Sequence, residues 1–209
     1  APAGEDNLCH RAARYFLDRT GIDAGVSVRL EKRIPSGAGL GGGSSDAAST
    51  ILALERLTGS RLSDADRRDA AFRVGADVPF FFARGPAWVE GVGERVTPVR
   101  FAETLWLVLV HPGVFLSTAS VFSRFTKGLT TPRDIHTIAH FTFQGVSEGL
   151  RNDLEAPARA LEPAVGRAID AVRGVGSAAV LMTGSGSAVF GLFPDAPGAR
   201  RAAEALKAS

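Results

Sequence analysis

The sequence predicts an α+β protein of two domains, and three observations carry the prediction. Val26–Leu30 alternates apolar and polar residues as a half-buried strand does, then runs straight into a glycine-rich loop and a helix-forming stretch. After the break at Pro98, Leu105–Val110 opens a fresh, wholly apolar run that reads as a second buried strand. The second half then follows the order strand, helices, strand, strand, helix, which is ferredoxin-like without its last strand. With 209 residues, 45% of them hydrophobic, the chain is long enough for two cores. The predicted boundary separates residues 1–100 from 101–209.

In order, Asn7 caps a helix carrying Leu8, Ala12, Tyr15 and Phe16 and stopping near Gly21. The helix after the glycine loop ends near Gly59, and Ser63 with Asp66 starts a third that runs to Gly75. Gly85–Pro98 reads as short strands, and a helix begins near Ser117. Residues 126–144 mix Gly, Thr, Pro, His and Phe without a period and read as a loop with at most short helical pieces. Asn152-Asp153 caps a periodic stretch that Pro163 divides into two helices. Ala178–Met182 and Ala188–Phe193 are apolar strands joined by Thr183–Ser187, and Ala199–Lys207 is the final helix.

The chemistry concentrates in Ile34–Thr50, where five of the first ten residues are glycine. Glycine reaches φ > 0 without penalty and lets a ligand approach the main chain, so neighbouring N–H groups can converge on one anion. Ser44, Ser45 and Asp46 are expected to supply the N-cap, placing a helix's positive end beside the loop. A glycine cluster alone serves tight turns equally well, but this one stands between a strand and a helix and ends in two hydroxyls. It lacks the Gly-Lys-Ser/Thr of a Walker loop, which points to another type of nucleotide phosphate loop.

Asp77 reads in two ways. It is a helix-end residue or arginine partner, or it is a carboxylate fixed between Gly75 and Pro79 at the edge of the Phe80–Phe82 wall, placed to orient or deprotonate a hydroxyl. Gly184, Ser185, Gly186 and Ser187 form a simple hairpin loop, or offer donors to the first loop or its ligand. Phe122 and Phe80–Phe82 are core residues, or stack on a base at a pocket mouth. His10, His111, His136 and His140 are dispersed and form no triad in chain order.

Other classes are disfavoured. A formal charge of +2, from 24 basic and 22 acidic residues without a basic stripe, argues against nucleic acid as a partner. Cys9 is the single cysteine, so no internal disulfide forms and a reducing, cytoplasmic setting is expected. No apolar run is long enough for a bilayer, and no membrane partner is expected.

Three segments together resemble the GHMP small-molecule kinases. Pro35–Ser45 is similar to that family's second motif and Met182–Ser187 to its third. Gly75–Phe80, Gly91–Glu94, His111–Val114 with Ser117-Thr118, and Asn152–Glu155 are similar to the branch acting on a cytidylyl sugar alcohol. The resemblance implies a ribosomal protein S5 domain 2-like N-terminal domain, a ferredoxin-like C-terminal domain, and ATP with Mg²⁺ as cofactors. It implies transfer of the γ-phosphoryl group to the 2-hydroxyl of 4-diphosphocytidyl-2-C-methyl-D-erythritol, in the non-mevalonate isoprenoid pathway. By position, the ATP site would comprise Pro35, Ser36, Gly37, Ala38, Gly39, Leu40, Gly41, Gly42, Gly43, Ser44 and Ser45, with Ser45 a Mg²⁺ contact. Asp77 would be catalytic, and Thr118 and Phe122 would contact the cytosine. Gly184, Ser185, Gly186 and Ser187 would support the phosphate site. The family's Ala-Lys-Xaa-Asn-Leu and Asp-Gly-Tyr-His segments do not occur in these residues. Should the protein itself lack that lysine, little or no turnover is expected, because developing charge on the phosphoryl group would go unneutralised. Two alternatives stand beside this reading: a mevalonate- or homoserine-type kinase of the same family, and a nucleotide-binding module without catalysis.

Overall fold

The computed structural model describes residues 4–83, 85–101, 103–125 and 142–208. They group into two compact units, Ala1–Ile34 with Gly41–Arg100, and Pro35–Leu40 with Phe101–Ser209.

The first unit begins with helix α1 (Leu8–Thr20). Asn7 accepts from the Cys9 N–H at its start, and Gly21 closes it in the left-handed region at φ 67°. α2 (Gly42–Thr58) ends at Gly59, φ 76°, and α3 (Asp64–Arg73) starts with a complete Ser63/Asp66 capping box. A 3₁₀ turn, Pro79–Phe82, leads to an antiparallel hairpin of β1 (Ala87–Glu90) and β2 (Arg95–Pro98), with Trp88 opposite Thr97. Phe16, Ile51, Val74 and Val78 are wholly buried where the three helices and the 3₁₀ turn meet. Each such burial stabilises by about 1.5–3 kcal/mol, so this core fixes the start of α2 and the chain around Asp77 in one frame.

One expectation fails here. Residues 26–30 form no strand: they pair with none among the described residues, and Val26 and Val28 are 39% and 45% exposed. An alternating pattern becomes a strand only when a neighbour takes its backbone groups and covers its apolar face.

The second unit is built on β3 (Trp106–Val110), β4 (Ala179–Met182) and β5 (Val189–Phe193), antiparallel in the order β3-β5-β4. Between β3 and β4 lie α4 (Thr118–Ser123), α5 (Phe143–Gly149), α6 (Glu155–Leu161) and α7 (Pro163–Gly174); α8 (Ala196–Lys207) follows β5. α7 buries Val165, Ile169 and Val172 against Met182 and Val189. Gly191 in β5 leaves the space that Val172 fills. Pro163 opens α7, with only Glu162 between it and the end of α6, as its fixed φ and missing N–H suit a first turn. The predicted loop 126–144 lies mostly outside the described residues; its last two residues open α5, capped by Thr142. The final helix starts earlier than predicted, at Ala196, because Asp195 accepts from the Gly198 N–H at 2.7 Å.

Candidate phosphate and hydroxyl site

In the first unit the α2 terminus is built differently from the sequence expectation. Gly41 is the N-cap, left-handed at φ 65° and without a side-chain cap, and the helix begins at Gly42. Ser44 and Ser45 therefore lie inside the first turn. The Ser45 N–H reaches the Gly41 carbonyl at 2.9 Å, and the three N–H groups ahead of it have no helical acceptor. A 17-residue helix thus presents its positive end through glycine alone. Asp46, the third expected cap, instead accepts from Lys32 Nζ at 2.5 Å, both side chains being largely shielded from water. That ammonium stands 3.4 Å from where a Gly42 Cβ would lie, so a cation flanks the first turn. Lys32 was missed in the sequence; its only signal was a basic residue just ahead of the loop.

Asp77 is exposed, on a turn pinned at both ends by the wholly buried Val74 and Val78. The Val78 N–H closes the turn on the Gly75 carbonyl at 3.0 Å. On its flank, the Gly91–Glu94 hairpin turn approaches so closely that any Cβ on Gly93, φ 121°, would collide with the Ala76 carbonyl. Glu94 braces that turn by accepting from the Val92 N–H at 2.8 Å. Its own backbone N–H and that of Val92 hold its carboxyl below the usual range. Leu8 lies beneath both Gly43 and Gly75, and the Phe81 ring rests on Gly41. The Asp77 turn and the start of α2 therefore share packing partners. The expected aromatic wall is divided: Phe80 meets Phe81 edge to face at 5.1 Å, while Phe82 lies under the Arg67 guanidinium.

In the second unit, residues 35–40 are held by the β4–β5 connection. Ser187 and Ala188 donate their N–H groups to the Gly37 and Ala38 carbonyls, at 3.2 and 3.0 Å. Thr183 Oγ1 donates to Gly39 at 2.9 Å. Thr183–Ser187 joins antiparallel β4 and β5 as a hairpin loop and also gives donors to the first loop. Gly39, φ 71°, is obligatory here: a side chain would enter the Thr183 carbonyl. Asn152 does not cap α6, whose N-cap is Leu154. Its Oδ1 accepts from Leu154, and its Nδ2 donates to the Met182 and Gly184 carbonyls at 2.8 and 2.7 Å. Glu155 accepts from the Met182 N–H at 3.3 Å. The Asn152–Glu155 motif therefore braces the loop that braces Gly39. Thr118 and Phe122 are exposed on α4, Phe122 at 55%, and Thr118 Oγ1 is 2.8 Å from Ser185 Oγ. Phe115, 70% exposed against Gly37, had no sequence signal.

His10 and His111 are exposed; His136 and His140 lie outside the described residues. Among the described residues no three acidic, histidine or cysteine side chains cluster as metal ligands, and no helix is long and apolar enough to cross a membrane.

Comparison with known proteins matches residues 7–85 to the GHMP kinases N-terminal domain and residues 135–209 to the GHMP kinases C-terminal domain. A 4-diphosphocytidyl-2-C-methyl-D-erythritol kinase of Syntrophotalea carbinolica is 42% identical over 98% of this chain and 73% of its own. A crystal structure of 4-(cytidine 5'-diphospho)-2C-methyl-D-erythritol kinase is 40% identical, with TM-score 0.79 over all of this chain and 76% of that one. A homoserine kinase from Cytophaga hutchinsonii shares the fold, with TM-score 0.71 at 21% identity over 98% of this chain and 71% of its own. With both halves of its length matched in this way, the chain belongs to the GHMP kinase family.

Proposed function

We propose that the chain is an ATP-dependent kinase that phosphorylates the 2-hydroxyl of 4-diphosphocytidyl-2-C-methyl-D-erythritol. The carrying observation is the uncapped, glycine-built start of α2 packed beside the turn that exposes Asp77. The substrate rests on the relatives of that name. Residues 1–100 are the ATP-binding domain in this reading and residues 101–209 the C-terminal domain.

The residues fit ATP. Gly41–Gly43 and Ser44 offer backbone donors with no side-chain cap competing for them, as an anion of several charges requires. By their likeness to the family's second motif, Pro35–Leu40 are assigned to ATP as well; within their own unit they are held by the Gly184–Ser187 loop and by Thr183. In the reaction, Asp77 accepts the proton of the substrate hydroxyl as its oxygen attacks the γ-phosphoryl group and the bond to ADP breaks. The α2 N–H groups hold phosphate charge without reorganising. Thr118 and Phe122 engage the cytidylyl group, Phe122 by stacking. Mg²⁺, bound with the phosphates and contacting Ser45, would supply further positive charge; few protein ligands suffice for an ion that keeps phosphate oxygens and water. Cys9, a buried free thiol, accords with a cytoplasmic setting.

The test is ADP release by the intact polypeptide with ATP and the cytidylyl substrate, beside mevalonate and homoserine. Turnover confined to the cytidylyl substrate is expected. Turnover on mevalonate or homoserine instead would overturn the assignment.

A further inference from the structure

The Thr183–Ser187 loop divides its side chains between two neighbours. Thr183 holds Gly39, and Ser187 Oγ donates to the Val114 carbonyl. Ser185 turns to α4, where its hydroxyl meets Thr118 Oγ1 at 2.8 Å. The two hydroxyls differ in setting: Ser185 is 8% exposed, whereas Thr118 faces solvent. A hydroxyl withdrawn from water directs its proton at the acceptor within reach, since an unmade bond there has no solvent replacement. The 2.8 Å contact permits either hydroxyl to donate; the burial of Ser185 favours it as the donor, with Thr118 Oγ1 as the acceptor. The Thr118 proton must then point away from Ser185, outward.

We infer that Ser185 is a positioning residue for the cytidylyl substrate, setting Thr118 as an outward hydrogen-bond donor to an acceptor oxygen of that substrate. This rests on the reading of Thr118 as a substrate contact. Without Ser185, the Thr118 hydroxyl rotates among staggered positions and meets the substrate in the productive one only part of the time. The same loop carries Gly39 through Thr183, so the substrate-facing hydroxyl and residues 37–39 rest on one support, itself tied down by Asn152.

The experiment is steady-state kinetics of the intact polypeptide with each substrate varied, for Ser185→Ala, Ser185→Thr, Thr118→Val and the Ser185→Ala/Thr118→Val double variant. Ser185→Ala should raise KM for the cytidylyl substrate about three- to tenfold, the size of one hydrogen bond, and leave KM for ATP within about twofold. Ser185→Thr, which keeps the hydroxyl, should restore KM, and the double variant should match Thr118→Val alone. Should Ser185→Ala misfold, Ser185→Cys, of similar size with a weaker donor, gives the same reading. A parallel rise in both KM values, or additive effects in the double variant, overturns the inference. An effect of Thr118→Val with none of Ser185→Ala sinks the role of Ser185 alone. An unchanged KM in Thr118→Val sinks the reading of Thr118, and this inference with it.

Discussion

The ring of Phe81 rests on Gly41, so that a Cβ on Gly41 would come within 2.8 Å of the ring's tip. Phe81 lies four positions after Asp77, and Gly41 opens α2. Through this contact the proposed base and the proposed phosphate donors are referenced to each other by packing, inside one unit.

If Asp77 takes the hydroxyl proton, Asp77→Asn should keep the turn's shape while lowering kcat by about 10²–10⁴-fold. ATP affinity, measured by calorimetry, should stay within about twofold. Equal turnover in the variant would show that Asp77 does not act on the proton.

Gly41→Ala and Gly93→Ala both force a side chain into positive φ, at about 1–2 kcal/mol each. The added contact decides their order. At Gly41 the obstacle is the end of the Phe81 ring, which can swing aside; at Gly93 it is the Ala76 main-chain carbonyl, which cannot. Gly93→Ala should therefore lower the thermal midpoint more and reduce kcat by moving the Asp77 turn. Gly41→Ala should chiefly weaken ATP, and Phe81→Ala should not rescue it. Restoration by Phe81→Ala would mean that crowding, not backbone strain, sets the cost.

Asn152 makes two bonds to the β4–β5 connection through Nδ2, each contributing about 0.5–1.5 kcal/mol net. Asn152→Ala should cost roughly their sum. Asn152→Asp should be worse despite its shape, because it sets a carboxylate oxygen against two carbonyl oxygens while keeping the acceptor for Leu154. Urea denaturation ranks the variants, and a milder Asn152→Asp would contradict the donor assignment.

Asp66 has its carboxyl held below its ordinary value of 3.8, first by the Ser63 hydroxyl at 2.6 Å and then by the Ser63 N–H and Arg19. A lowered carboxyl stabilises the fold above its unfolded value and loses that contribution as pH falls through the folded one. Asp66→Asn should thus be less stable than the parent at neutral pH, with the gap closing below pH 3.8. A gap that is constant across the acid range would mean the charge is irrelevant. Arg19 and Asp66 are partly exposed, so added salt should shrink only the ion-pair share.

What the sequence disclosed depended on how local the cause was. Asn7, Ser63 with Asp66, Gly59 and Pro163 act within a turn of themselves, and each stands where its chemistry requires. Val26–Leu30 had the right pattern, but no strand among the described residues pairs with it. Ser44 has the right chemistry for a cap, but a glycine displaced it: only Gly41 tolerates the left-handed turn beneath Phe81, and the helix starts earlier. Asn152 looked like a cap because Asn so often is one; its amide group was needed by a loop thirty residues away. Lys32, Phe81 and Ser185 act through partners remote in sequence, and no period or composition marks such pairs.

The bond from Thr183 to Gly39 spans 144 positions, and with its neighbours it makes Pro35–Leu40 part of the later unit. During synthesis that hexapeptide leaves the ribosome long before anything exists to fasten it, and it waits until the chain has passed Ala188. Contacts of such separation pay loop-closure entropy early and slow folding. A cut at residue 100 would also yield no self-sufficient halves, since the later piece would lack the segment that satisfies the Ser187, Ala188 and Leu116 N–H groups.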